Sequence, residues 1–93
     1  MADPTNNRTD AEALAERDGI QRAFGVVLRR LRDERSMSQE ALSGETGIDR
    51  SFLAKMEAGR RQPTITTFIR LSKALGVAPS EMMQAVEREG EIA

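Results

Sequence analysis

The apolar residues of this chain recur at helical spacing, in segments that glycines and helix caps keep short. Ile20, Phe24, Val27, Leu28 and Leu31 fall at i, i+4, i+7, i+8 and i+11, which is typical of an amphipathic helix. No segment of the sequence alternates apolar and polar residues in the way that a half-buried strand does. The spacing therefore predicts an all-α fold.

Four further helices are predicted from their first residues. Ser38 is placed to cap the short segment QEALSGET, and Asp49 to cap RSFLAKMEA. Thr64 opens a fourth helix and Pro79 a fifth. For the fourth helix we expect an apolar stripe of Ile65, Phe68, Ile69, Ser72 and Leu75. The sequence thus predicts five helices in one small domain.

Composition divides the chain into three parts. We predict a folded domain at residues 20–88, an N-terminal extension at 1–19 and an acidic tail at 89–93. Thr9 and Glu12 have the spacing of a capping box, so the extension is expected to be weakly helical, with disorder before Thr9.

The formal net charge of −1 conceals a segregation of charge along the chain. Residues 1–19 and 79–93 each carry a net charge of −3, and residues 20–78 carry +5. A basic centre of this size suits a polyanionic partner, although it is also ordinary for a protein surface.

Residue types that are missing exclude several classes of function. The chain has no Cys and no His, which excludes disulfides, thiolate zinc sites and imidazole catalysis. We expect no catalytic residue, metal, cofactor or small-molecule ligand. No apolar run approaches the roughly 18 residues of a membrane span, and MADPTNNRTD is too polar for a secretory signal. The expected location is the cytoplasm, away from membranes.

The segment that begins at Gln39 has the spacing of a helix-turn-helix. Counting from Gln39, this motif has small or apolar residues at positions four, five, ten, fifteen and eighteen, and a glycine at the turn. The sequence supplies Leu42, Ser43, Ile48, Leu53 and Met56 at those positions, and Gly47 at the turn.

These residues resemble the Cro and phage-repressor-like helix-turn-helix family, also called the XRE family. The resemblance covers about residues 24–83 and is carried by LRRLRDERSMSQEAL, GIDRSFLAKMEAGRRQPT and FIRLSKALGVAPSEM. It implies a five-helix, lambda-repressor-like domain whose helix 49–58 enters the major groove of DNA. The chain departs from the family in two places. Ser43 stands where alanine is usual, and Gly44 lies inside a helix, where it costs about 1 kcal/mol relative to alanine.

Because Leu53 and Met56 face inward, the opposite side of their helix would face the bases. We predict base contacts from Arg50, Ser51, Phe52 and Lys55. Arginine and lysine donate to guanine, serine bonds several base edges, and apolar groups contact the thymine methyl. Phe52 has an alternative, which is to fill a gap beside the core.

Contacts to the DNA backbone are predicted from other residues: Gln39, Arg60, Arg61 and Thr64. The resemblance gives this role to Gln39, which lies in the first turn of its helix. For the loop residues the alternative is a solubilising role. The resemblance also implies a partly buried ion pair between Arg32 and Glu57, with a structural role.

Relatives of this kind bind as two-fold dimers, so we predict a homodimer on palindromic double-stranded DNA. The predicted dimer surface is formed by Met82, Met83 and Val86, with residues 9–17 as a second candidate. The alternative is that the methionines complete the core. Both acidic ends are expected to point away from DNA.

The leading functional hypothesis is a sequence-specific DNA-binding transcriptional regulator. The segment DRSFL also resembles the controller proteins of restriction-modification systems. An antitoxin that masks a toxin and represses its own operon is the main alternative. An interaction module without DNA binding is less favoured, because Arg50, Ser51 and Lys55 suit base contacts. An enzyme is the least favoured class.

Overall fold

The computed structural model describes residues 9–91, and this part of the chain contains five α-helices and no strand. The helices are α1 (Asp10–Glu34), α2 (Gln39–Thr46), α3 (Arg50–Glu57), α4 (Ile65–Ala74) and α5 (Pro79–Glu89). The predicted all-α class is confirmed. Within this region no helix combines the length and the apolar character that crossing a membrane requires.

Helix α1 begins earlier than the apolar stripe that predicted it. The Thr9 hydroxyl accepts the backbone N–H of Glu12 at 3.1 Å, as the capping-box spacing predicted. The helix then runs without interruption for 25 residues, so residues 10–19 continue directly into the segment that starts at Ile20. The disorder expected before Thr9 lies outside the described residues. The division of the chain into three parts stays a prediction.

The caps of the three following helices lie where the sequence placed them. Ser38, Asp49 and Thr64 each accept a backbone N–H of the next turn, at 3.0, 3.0 and 3.1 Å. Pro79 occupies the first turn of α5, where its missing N–H costs no hydrogen bond.

The long helix α1 forms one side of the hydrophobic core, and both α3 and α5 pack against it. The Phe24 ring of α1 and the Phe68 ring of α4 lie with centroids 5.8 Å apart. The buried apolar residues are Ala23, Phe24, Val27, Leu28, Leu42, Ile48, Leu53, Met56, Leu71, Leu75, Met82 and Val86. All five helices contribute to this set, and Ile48 comes from the turn between α2 and α3.

The predicted apolar stripe of α4 is wrong at two positions. Ile65 is 81% exposed and Ile69 is 37% exposed, whereas Leu71, which lay outside the stripe, is fully buried. The helix turns Leu71, Ser72 and Leu75 onto the core, which leaves the two isoleucines on its flank. The buried Ser72 hydroxyl donates to the Ile69 carbonyl at 2.8 Å, so its burial leaves no unpaired polar group.

Candidate nucleic-acid interface

The turn between α2 and α3 is fixed by hydrogen bonds from side chains as well as backbone. Gly47 has a φ of 74°, and its N–H donates to the Ser43 carbonyl at 2.8 Å. The Thr46 hydroxyl donates to the Leu42 carbonyl at 2.7 Å and accepts the Ile48 N–H at 3.2 Å. The Ser43 hydroxyl donates to the Ile48 carbonyl at 2.5 Å. Serine at the position where the family usually has alanine therefore joins the two sides of the turn.

Helix α3 is seated on α1 by two buried side chains and one close backbone contact. Leu53 and Met56 are fully buried. Gly25 of α1 lies directly under the end of α3, where an added Cβ would be 2.7 Å from the Glu57 carbonyl oxygen and would also collide with the Met56 carbonyl. The backbone of α3 therefore lies directly against α1 at Gly25, so a larger residue there would have to push α3 away.

The face of α3 opposite these contacts carries three of the four residues predicted to contact bases. Arg50, Ser51 and Lys55 are exposed, and their arrangement on one side of the helix follows from the burial of Leu53. Phe52 differs, because its half-buried side chain packs against the core. Its position matches the alternative in which it fills a gap beside the core, and a base contact from Phe52 stays a prediction.

The predicted phosphate-binding residues of the loop after α3 lie on the surface. The chain bends at Gly59, whose φ is 76°, and Arg60 and Arg61 follow as exposed residues. Thr64 is also exposed, but its hydroxyl already accepts the Thr67 N–H at 3.1 Å. The Thr64 hydroxyl also donates to the Thr67 hydroxyl at 3.1 Å, and the phosphate contact predicted for Thr64 stays a prediction, beside the N–H groups at the start of α4.

The ion pair implied by the family resemblance is present and largely buried. Arg32 Nε donates to Glu57 Oε2 at 2.7 Å and Arg32 Nη2 to Glu57 Oε1 at 2.9 Å, which makes the pair bidentate. The two side chains are 11% and 7% exposed. The hydrogen bond to Glu57 raises the pKa of Arg32 above its ordinary value, against the opposing effect of burial. Arg32 Nη1 also donates to the Met37 carbonyl at 2.7 Å, which ties α1 to the segment that enters α2.

Gln39 belongs to the same network, which sequence reasoning missed. Its side-chain Nε2 donates to Glu57 Oε1 at 3.1 Å. The two residues are 18 positions apart, and only the packing of α2 against α3 brings them together. No local spacing in the sequence could have predicted this contact. The residue that the family resemblance assigns to phosphate binding thus also contacts the structural ion pair.

A second surface of interest is an apolar groove formed by α1, α4 and α5. Its open volume is about 440 Å³, and its lining includes Ile20, Ile65, Ile69 and Met83. Leu14, Val26, Ile65, Ile69 and Met83 are the exposed large apolar residues of the described chain, and three of these five line the groove. The exposed apolar residues of the described chain are therefore concentrated at this groove.

The structure corrects the predicted dimer surface at two residues. Met82 and Val86 are 1% and 3% exposed, because α5 turns them onto α1 and into the core of the protomer. Met83, which is 47% exposed, is the one member of the predicted set that lies on the surface. Ile65 and Ile69, on the flank of α4, line the same groove as Met83.

A helix-turn-helix that presents an exposed basic helix on an all-α core defines a DNA-binding helix-turn-helix protein. The chain belongs to the helix-turn-helix family HTH_3, whose model matches residues 28–82. The family resemblance drawn from the sequence is confirmed.

Relatives extend this assignment. The chain is 34% identical to an uncharacterized HTH-type transcriptional regulator, y4dJ, of Sinorhizobium fredii, over 69% of this chain and 83% of the relative. It is also 34% identical to the control protein C.BamHI of Bacillus amyloliquefaciens, over 71% of this chain and 83% of the relative. The fold is similar to the crystal structure of the restriction-modification controller protein C.AhdI from Aeromonas hydrophila, with a TM-score of 0.64 and 35% identity. That match covers 67% of this chain and 94% of the other.

Proposed function

We propose that this protein is a cytoplasmic, non-enzymatic, sequence-specific DNA-binding transcriptional regulator that acts as a homodimer. The observation that carries the proposal is the outward face of α3. Arg50, Ser51 and Lys55 are exposed together on a helix whose other side is fixed to the core. This arrangement places hydrogen-bonding groups where a major groove can receive them.

The three exposed residues have complementary roles in reading bases. Arg50 and Lys55 donate to the O6 and N7 atoms of guanine, and the Ser51 hydroxyl bonds either a donor or an acceptor on a base edge. Each good pair of this kind discriminates against a wrong base by about 1–3 kcal/mol.

Backbone contacts come from both ends of the helix-turn-helix. Gln39 and the first turn of α2 hold a phosphate on one side, while Arg60, Arg61 and the N–H groups at the start of α4 hold phosphates on the other. These contacts fix the register of α3 in the groove but carry no sequence information. Their cationic members make binding depend on salt.

A pair of double variants tests the proposal that α3 reads sequence. Fluorescence anisotropy would compare binding to the duplex that the protein itself selects with binding to a scrambled duplex. Arg50→Ala with Lys55→Ala is expected to remove most of the preference, whereas Arg29→Ala with Arg88→Ala removes the same charge from exposed residues outside the motif. If both variants lost the same preference, charge alone would account for binding and the proposal would fail.

The homodimer is proposed to form through the groove between α4 and α5. A second protomer would cover Ile65, Ile69 and Met83. Each protomer of the dimer would then bind one of two DNA half-sites with its own helix-turn-helix. Sedimentation velocity tests this surface. Met83→Glu is expected to shift the protein toward the monomer, and Val26→Glu is the matched control, because Val26 is 48% exposed and lies outside the groove. Equal effects of the two variants would argue against the groove.

Within this function, the restriction-modification controller type is the more specific proposal. It is supported by two of the relatives, which are a control protein and a restriction-modification controller. None of the three relatives described above is named as an antitoxin, so the antitoxin alternative gains no support from them. A restriction-endonuclease gene beside the coding gene would favour the controller, and a toxin gene would favour the antitoxin.

A further inference from the structure

The Glu57 carboxylate lies where three helices meet, and it contacts one residue from each of the other two. Its Oε2 accepts Arg32 Nε of α1 at 2.7 Å. Its Oε1 accepts both Arg32 Nη2 at 2.9 Å and the Gln39 side-chain Nε2 of α2 at 3.1 Å. With the Glu57 side chain only 7% exposed, these contacts are formed in a largely dehydrated environment.

The hydrogen bond to Glu57 uses only part of the hydrogen-bonding capacity of the Gln39 side-chain amide. A glutamine side chain has two N–H donors and one carbonyl acceptor, and Glu57 uses one of the donors. The other donor remains for a ligand. A free glutamine side chain loses rotamer freedom when it binds, whereas one that is already held by Glu57 loses less.

We propose that Glu57 is a positioning residue for DNA binding, which holds the Gln39 amide so that its second N–H binds a backbone phosphate at the start of α2. The inference rests on the proposed function, because it assigns a mechanism to one contact of the DNA interface. Gln39 touches the phosphate, and Glu57 acts only through Gln39.

Arg32 neutralises the negative charge of Glu57, which lies near the proposed phosphate position. An unpaired Glu57 would repel the DNA backbone, but the bidentate pair with Arg32 neutralises it. Arg32 also donates to the Met37 carbonyl, just before the Ser38 cap of α2. The ion pair therefore fixes both the Gln39 side chain and the backbone from which α2 begins.

The test uses the duplex selected by the protein, with one neutral methylphosphonate linkage placed at each backbone position in turn. For the wild-type protein, linkages at several contacted phosphates are expected to lower affinity, and the one held by Gln39 by about tenfold, because a hydrogen bond to a charged oxygen is lost there. In Gln39→Ala that one linkage should cost clearly less than in wild type, since only the N–H groups of α2 still hold the phosphate, while linkages held by Arg61 keep their full effect.

The decisive variant is Arg32→Met combined with Glu57→Leu, which removes both charges and leaves no unpaired ion. If Glu57 positions Gln39, the linkage found above loses its effect in this variant, and adding Gln39→Ala changes nothing further. Arg32 also holds the start of α2 through the Met37 carbonyl, so the backbone amide shifts of α2 are compared by NMR with those of wild type. A linkage that keeps its effect, or one that loses it only where the α2 amide shifts have moved, would overturn the inference. A wild-type protein that bound no preferred duplex would instead refute the proposed function.

A second measurement needs no variant of the ion pair. In the free wild-type protein, NMR would follow hydrogen exchange of the Gln39 side-chain amide, with the exposed Gln84 amide as the reference. One Gln39 proton is expected to exchange at least about tenfold more slowly than those of Gln84, because it is bonded to Glu57. Exchange of both Gln39 protons at the Gln84 rate would overturn the inference.

Discussion

Replacing Glu57 by alanine is expected to destabilise the protein far more than replacing the whole ion pair. Glu57→Ala removes the acceptor of Arg32 Nε and Nη2 and leaves a guanidinium that is 11% exposed without its main partner. Arg32→Met with Glu57→Leu removes both charges and fills the space with apolar atoms. The contrast between the two variants separates the cost of an unpaired buried charge from the net value of the pair.

The magnitude follows from the contacts that remain. Breaking a buried ion pair by removing one partner costs about 3–5 kcal/mol. Arg32 keeps its bond to the Met37 carbonyl and an exposed neighbour, Asp33, at 3.4 Å, so the lower value, about 3 kcal/mol, is expected. At about 4–8 °C per kcal/mol for a domain of this size, the melting temperature falls by about 12–24 °C. The double variant should lie within about 1 kcal/mol of wild type.

The loss of unfolding free energy in Glu57→Ala should not depend on pH above neutrality. The pKa of Arg32 is raised in the folded protein, so its contribution is complete below the unfolded pKa and is lost only as pH rises through the folded value. Since that value lies above the ordinary arginine pKa, the loss in Glu57→Ala should be constant from about pH 7 to 10.

Circular dichroism at 222 nm during thermal and urea unfolding measures these differences. Equal losses in Glu57→Ala and the double variant would show that the unpaired charge is not the cause. A loss of less than about 1 kcal/mol in Glu57→Ala would show that the pair is solvated and weak.

Other expected outcomes follow from the same structure. Gly25→Ala should destabilise the protein by about 1–3 kcal/mol, because its Cβ meets carbonyl oxygens of α3. Gly44→Ala, which has open space, should stabilise it by up to about 1 kcal/mol, and urea unfolding distinguishes the two signs. Ser43→Ala should cost about 1 kcal/mol through the lost hydroxyl bond across the turn, measured in the same way. Lys55→Ala should relax preference at one base position in a binding-site selection. Arg61→Ala should instead weaken binding to all sequences and reduce the salt slope by about one; if both altered specificity alike, the division between base and backbone contacts would be wrong.

Features set by neighbours in the sequence could be predicted from the sequence. The caps Ser38, Asp49 and Thr64 act on backbone groups two or three residues ahead, so their roles follow from local spacing alone. The glycine turn before α3 is of the same kind, since Gly47 adopts the left-handed conformation that its position predicted.

Features set by the crossing of helices could not be predicted in this way. The apolar residues of α4 span more than one face, and only packing decides that Leu71 is buried while Ile65 is exposed. The contact between Gln39 and Glu57 likewise depends on how α2 meets α3. The continuity of α1 from residues 10–17 into the segment at Ile20 could not be predicted, because residues 18–19 include no apolar residue to extend the stripe.

The most direct test of the central claim is the selection of binding sites from a random duplex DNA pool at two salt concentrations. A sequence-reading homodimer is expected to recover a palindrome with half-sites about ten base pairs apart, and to retain the motif at the higher salt. Weak binding that disappears at the higher salt and yields no motif would contradict the claim, because it would mean that the basic face of α3 senses charge alone.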